Sequence, residues 1–292
     1  MTSNESYVIV TDSAADLSEQ QLTHMDVASI PLNVFMKDDP AIPCELRGQA
    51  FYQELQNGRV ACTSAANLSS FRDTFTKILS RGQDILYLGF SSPLSCMCAT
   101  ARIAAEELAE EFPERSIRIV DTLCASLGEG LLVYHCAEQR ARGMSLDELY
   151  AYAVKTRLHI MHWFTVDDLL FLKRGGRVGT ISALAGSVLG IKPVLHVSNE
   201  GKLVAKQKIR GRKNAVLELG KHYGAECTDK ESAVFIAHAN ALETAEMLKE
   251  SLLHDHGAKH VTIGEIGPVV GAHAGPGTIA LFYLGESREG DA

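Results

Sequence analysis

The chain has 292 residues, 46% of them hydrophobic and 22% charged, with a formal net charge of −8. That length is natural for two hydrophobic cores rather than one, and the balance is that of an ordinary folded protein. The acidity argues against general binding to nucleic acid or to an anionic membrane, although local basic patches leave room for transient membrane contact.

In chain order, Tyr7 to Thr11 (YVIVT) reads as a short buried strand ending at Asp12-Ser13, and Ser18 to His24 as a helix. Val27 to Phe35 is β-rich but weakened by Pro31. Gln49 to Gln56 and Ser69 to Leu79 are predicted helices, stopped at Asn57-Gly58 and Arg81-Gly82. Asp84 to Phe90 and Ser116 to Val120 are strands on either side of a helix over Ser95 to Glu111. Two further helices, Ala125 to Arg142 and Ser145 to His159, are split at Gly143. Alternating strand and helix predicts an α/β domain over residues 1–160 with a mostly parallel sheet covered by helices.

Residues 161–292 read differently. Trp163 to Val166 is a short strand. Ile191 to Val197 and Lys202 to Ile209 flank Asn199-Glu200-Gly201, which has the composition of a hairpin turn. Arg212 to His222 and Ala241 to His256 are helical, and Ser232 to His238, His260 to Glu265 and Thr278 to Leu284 are strands. A hairpin with interspersed helices predicts a second α/β domain with a mixed sheet.

The N-terminus lacks a basic start and an apolar run, and the most apolar stretch, Val269 to Gly285, is broken by His273, Pro276 and glycines. Neither a signal peptide nor an integral membrane segment is therefore expected. The seven cysteines are odd in number and scattered, so free thiols in the cytoplasm are expected. Cys96-Met97-Cys98 does not have zinc-site spacing, and the groups His159/His162 and His254/His256/His260 lack the partners of a metal centre. No metal and no cofactor is expected.

Ligands of open parallel sheets bind beyond the carboxyl ends of the strands. Three segments read as loops there are rich in hydroxyls: Thr11-Asp12-Ser13, Cys62-Thr63-Ser64 and Ser91-Ser92-Pro93-Leu94-Ser95. Ser95 sits where a helix should begin, and an N-cap hydroxyl with free backbone N–H groups favours an anion. None of the three contains lysine or arginine, which suits a single carboxylate better than a polyphosphate. Taken singly, a serine at a helix start is an ordinary cap and Thr63-Ser64 an ordinary turn.

At these same residues the chain resembles the DegV family. The likeness runs through TDSAADL (11–17), Thr63-Ser64, SSPLS (91–95), VDTLCASLGEG (120–130), DLLFLKRGGRVG (168–179), IKPVLHVSNEGKL (191–203) and GAHAGPGT (271–278). The resemblance implies two α/β domains with a ligand tunnel between them, holding a long-chain fatty acid. It implies that Thr63 and Ser95 hold the carboxylate, with Ser64 and Ser92 as alternatives, and that His273 lies close to it. It also implies that the protein is not an enzyme but presents the fatty acid to a separate fatty-acid kinase, which makes an acyl phosphate for phospholipid synthesis. The chain departs from the family pattern beside both hydroxyls, with Ala65-Ala66-Asn67 in place of Gln-Pro-Ser and Cys96-Met97-Cys98-Ala99 in place of Gly-Thr-Tyr-Gln.

Leu170, Phe171, Ile181, Leu184 and Val188 are candidates for the tunnel wall, each equally readable as core. Two basic groups stand out in the acidic chain: Lys173, Arg174 and Arg177 around Gly175-Gly176, and Lys206, Lys208, Arg210, Arg212 and Lys213 after the hairpin. They are a solvated face or, as the resemblance implies, a kinase-docking surface centred on Lys173, Arg174, Arg177, Arg210 and Arg212. No nucleophile elbow or phosphate loop is present. The alternative to a binding protein is a lipid hydrolase or phosphotransferase using the same cleft, for instance through Asp12, Ser13 and His273.

Overall fold

The computed structural model describes residues 6–177 and 190–288. Ile181, Leu184 and Val188 lie outside the described residues. Four short β-branched runs, β1 (Tyr7–Asp12), β2 (Val27–Ile30), β6 (Asp84–Gly89) and β7 (Ile117–Asp121), form a parallel sheet in the order β2-β1-β6-β7. The mostly apolar character of the central strands β1 and β6 follows from burial on both faces, whereas the edge strands β2 and β7 are partly buried. Val10, Ile85 and Tyr87 point to one face, where they meet α3 (Leu68–Leu79) and α4 (Met97–Glu111) through Phe71, Phe75 and Ala101. Ile9, Leu86 and Leu88 point to the other, towards α5 (Leu127–Ala141) and α6 (Leu146–Thr156).

The second sheet has six strands: β8 (Ile160–Thr165), β9 (Ile191–Val197), β10 (Leu203–Arg210), β11 (Ala233–His238), β12 (His260–Glu265) and β13 (Ile279–Leu284). Their order is β10-β9-β8-β13-β11-β12, with only β11 and β12 parallel. The mixed sheet and its β9–β10 hairpin are as the sequence predicts. Helices α8 (Arg212–Glu226) and α9 (Leu242–His254) cover the outer face with a separate apolar cluster.

The inner face of this sheet packs on α5, which also touches β1 and β6. That explains the composition of α5: Leu127 to Val133 is buried without a break, because the helix is sandwiched between two sheets. Strand alternation on β8 sets up everything that follows. His162 and Phe164 face inwards, while Trp163, the chain's one tryptophan, faces outwards. There its indole stacks on His222 at 3.5 Å between ring centroids and donates a hydrogen bond of 2.8 Å to Glu226 Oε2.

A third, antiparallel sheet was not foreseen. Pro31 has no N–H to continue a ladder, so the β-rich run over 27–35 splits into β2 and β3 (Asn33–Met36). Strand β3 pairs with β4 (Asp39–Pro43) on one side and with β5 (Ala61–Ser64) on the other. Cys62-Thr63-Ser64 is thus the end of a strand, not a loop. The segment after β12, to which the sequence reading assigns no element, also forms one. Pro268–Ala274 is a helix, α10, with proline in its first turn and Gly275 (φ 78°) just past its end.

Candidate functional site

A cavity of about 370 Å³ lies between the inner face of the six-stranded sheet, the carboxyl ends of the parallel strands and α10. The sheet contributes His162 and Phe164 from β8, Val197 from β9, Leu203 from β10, and Ala280 and Phe282 from β13. Phe90, Ala125 and Ser126 close it from the parallel-sheet side, and Ile266, Val269 and Val270 from α10 and the turn before it. Leu172 of α7 (Leu169–Arg174) completes the wall, whereas Leu170 on the same helix is 49% exposed and Phe171 borders a neighbouring cleft. The wall assignment of Leu170 and Phe171 is therefore corrected to Leu172, the next residue along the helix after Phe171.

The polar groups of the cavity gather from segments far apart in sequence: Thr63 and Ser64 from β5, Ser95 from the loop before α4, His273 from the last turn of α10, and Arg177 from beyond α7. Thr63 Oγ1 and His273 Nε2 are 2.7 Å apart. Burial, and secondarily the Arg177 charge, lower the His273 pKa to about 4, so the imidazole is neutral at neutral pH. Its Nδ1 is buried without a hydrogen-bond partner among the described residues and is pressed against Gly175, where an added Cβ would lie 2.1 Å from that nitrogen. With the ring proton on Nε2, His273 donates to Thr63 Oγ1 and leaves the threonine hydrogen free for an anion.

Arg177 spends one N–H on Leu94 O at 3.3 Å and another on Gly175 O, two of its five donors. It was expected on a docking surface, but the structure places it on the cavity wall. The polar end of the cavity is therefore charged, not lined by hydroxyls alone. Ser95 also differs from expectation. Helix α4 begins at Met97 with Cys96 in the cap position and no side-chain cap, and Ser95 N–H bonds back to Ser91 O at 3.1 Å. Ser95 reaches the cavity as a turn residue rather than as a helix cap. Ser92 is exposed and off the cavity lining, its N–H bonded to Asp121 Oδ1.

Thr11-Asp12-Ser13 is the one hydroxyl segment that does not join the cavity. Ser13 Oγ accepts from Leu32 N–H, and Asp12 accepts from Ala14 N–H, Phe90 N–H and the Tyr87 hydroxyl. Asp12 and Ser13 border an adjoining polar cleft instead. The supposed Asp12–Ser13–His273 triad is not assembled, since His273 pairs with Thr63.

Polar atoms along the rest of the wall are taken by the protein itself. His162 Nδ1–H donates to Ile160 O (2.8 Å) and Nε2 accepts from Ala125 N–H (3.2 Å), which fixes a neutral tautomer. Burial, aided by the nearby Arg288 charge, holds its pKa well below the usual histidine range. Ser126 donates to Asp16 Oδ2 at 2.5 Å. A guest in the cavity therefore meets carbon almost everywhere except at the Thr63–His273–Arg177 end.

Asp16 also accepts from Gly267 N–H at 2.8 Å and so ties the first turn of the chain to the entry of α10. Burial, with a smaller push from Asp12, raises its pKa to about 7, against the pull of these hydrogen bonds. A raised folded-state value means that the stability contributed by Asp16 is fully present below its ordinary value of 3.8 and is lost as pH rises towards 7. Asp16→Asn, which keeps an acceptor for Gly267 but cannot ionise, should flatten the pH dependence of thermal melting between about pH 4 and 7. An unchanged slope would assign the effect to other groups.

Among the described residues no cluster of histidine, cysteine or acidic side chains could hold a metal, and no helix is long and apolar enough to cross a membrane. A family model described as uncharacterised protein, DegV family, matches residues 6–286. The chain belongs to the DegV family. A DegV domain-containing protein of Clostridium perfringens is 40% identical to it over 289 residues, covering 97% of this chain and 99% of that one. Among solved structures, a DegV family protein of Thermus thermophilus described as fatty-acid-binding shares 28% identity with a TM-score of 0.85, covering 96% of this chain and all of that one. A fatty-acid-binding DegV family protein of Streptococcus agalactiae shares 26% identity with a TM-score of 0.84, covering 97% of this chain and 100% of that one. The α/β architecture described above, a parallel sheet and a mixed sheet covered by helices, is thus that of solved DegV proteins.

Proposed function

We propose that this protein binds a long-chain fatty acid in the cavity, with the carboxylate at Thr63, Ser95, His273 and Arg177 and the tail along the inner face of the six-stranded sheet. The observation that carries the reading is an apolar chamber whose polar wall atoms are already bonded, except at one end that offers a hydroxyl, an imidazole and a guanidinium. The family's solved members described as fatty-acid-binding support it. In this reading residues 1–160 and 161–292 are two lobes with the ligand between them.

The energetics fit. Each buried methylene is worth roughly 0.8 kcal/mol, so a tail of about fifteen gains on the order of 12 kcal/mol gross, part of which is lost in ordering the tail and the partners. The carboxylate end has only to offset desolvation of the headgroup. Mass spectrometry of the freshly purified protein under native conditions should show an additional species of a few hundred daltons, released on denaturation. Protein that is consistently empty, and that takes up no oleate when offered it, would overturn the reading.

The protein itself performs no chemistry in this proposal. It works in the cytoplasm without a cofactor and presents the carboxylate to a fatty-acid kinase, which forms the acyl phosphate. Lys173 and Arg174 are exposed on α7 beside the carboxylate end, and Arg210 is exposed at the end of β10. Arg212 is paired with Asp167 and Gly277 O, which leaves Arg174 and Arg210 as the better-placed docking charges. The double charge reversal Arg174→Glu/Arg210→Glu should depress acyl phosphate formation with the kinase while leaving fatty-acid affinity unchanged. Wild-type transfer rates in this variant would remove the docking surface from the proposal.

A further inference from the structure

Arg288 lies four residues beyond the last strand, yet it is only 3% exposed. No carboxylate is within ion-pair distance of it among the described residues. Its five N–H donors meet five acceptors: Nε reaches Ile160 O (2.9 Å), Nη1 reaches Leu123 O (2.6 Å) and Ser198 O (3.2 Å), and Nη2 reaches Arg157 O (2.6 Å) and Cys124 Sγ (2.9 Å). A guanidinium has five donors in a rigid planar fork, so this one is saturated and can serve no ligand directly.

What it holds is informative. Leu123 and Cys124 lead directly into Ala125 and Ser126, which line the cavity. Ser198 follows Val197, another lining residue. Ile160 O accepts from both Arg288 and the His162 ring, whose edge faces the cavity. Every acceptor except Arg157 is thus within two residues of one sector of the wall. This sector makes no bond to the Thr63–His273 pair. The same hairpin turn is fastened a second time, where Ser91 Oγ donates to Gly201 O at 2.8 Å, and Gly201 (φ 76°) approaches so closely that a Cβ would lie 2.2 Å from Ser91 Oγ.

We infer that Arg288 is a positioning residue for the tail-binding sector of the cavity: one side chain near the C-terminus fixes the relative placement of the Ala125–Ser126 segment, His162 and Val197, and so sets how far an acyl chain can extend. The inference rests on the fatty-acid reading above. Arg288→Gln removes the charge and most of the donors, and Arg288→Lys keeps the charge but loses the fork. Both are compared with wild type at a temperature where circular dichroism shows all three fully folded. If Arg288→Gln is not folded at any usable temperature, Arg288→Lys alone carries the comparison.

The readout is the dissociation rate of two fatty acids, palmitate and decanoate. Loosening this sector should speed palmitate release by about tenfold or more in Arg288→Gln, and less in Arg288→Lys, while decanoate release changes by less than about twofold. General softening of the fold would speed both equally, and that result would overturn the inference, as would unchanged palmitate release. Wild-type protein that binds neither acid would instead defeat the fatty-acid reading itself.

Discussion

Gly128→Ala is expected to destabilise the protein by about 1–3 kcal/mol, the usual cost of overpacking a filled core. A Cβ at residue 128 would lie 2.1 Å from His162 Nε2 and under 3 Å from two more ring atoms. The ring cannot give way cheaply, because both its nitrogens are bonded to backbone, at Ile160 O and Ala125 N. Its escape route is into the cavity it lines. Thermal melting should fall, and the space for the acyl tail should shrink with it. Gly128→Ala/His162→Ala removes the ring and should recover part of both losses, a coupling that two independent mutations would not show. Strict additivity in the double variant would mean that the ring and the glycine are not in register as described.

Thr63→Val should weaken fatty-acid binding by about ten- to a hundredfold, since it removes a hydrogen bond to a charged group worth roughly 1.5–3 kcal/mol. Valine keeps the shape of threonine, so the tail contacts remain. Binding of the corresponding methyl ester, which brings no full charge to the site, should change little. Calorimetric titration with acid and ester separates the two contributions. Equal losses for both would show that Thr63 acts through packing rather than through its hydroxyl. The neighbouring imidazole strengthens the contrast. Held neutral by burial, it donates its proton to Thr63 Oγ1 and so turns the threonine hydrogen towards an incoming carboxylate.

Much of the architecture was legible because it is local. The YVIVTD run, the capped helices and the Asn199-Glu200-Gly201 turn each carry their own signal, and Gly201 adopts the positive φ that such a turn needs. The elements that were missed draw their stability from elsewhere. Strand β5 is four residues long, and its ladder partner β3 lies about thirty positions earlier. Helix α10 has seven residues and an internal glycine, too little propensity to register, although Pro268 and Gly275 mark its two ends.

The site divides in the same way. Thr63, Ser64, Ser95 and His273 were named from the sequence and do line one cavity. The supposed helix cap at Ser95 was off by one position, because the chain makes an extra turn back to Ser91 before α4 begins. Arg177 was visible as a basic residue, but nothing in its own segment says that the chain after α7 returns to the Thr63–His273 end of the cavity. Ser126 and His162 were invisible as wall residues, since their role follows from strand alternation on β8 and from α5 being wedged between two sheets.

The placement of Trp163 gives the molecule a built-in optical gauge. All indole emission from the chain comes from this one ring, which is stacked on an imidazole and hydrogen-bonded to a carboxylate. Its immediate neighbours along the strand, His162 and Phe164, look into the chamber on the opposite side of the sheet. In the fatty-acid reading, a tail in that chamber lies one peptide unit from the chain's single tryptophan, so a change in indole emission on adding oleate is the expected dye-free signal of occupancy.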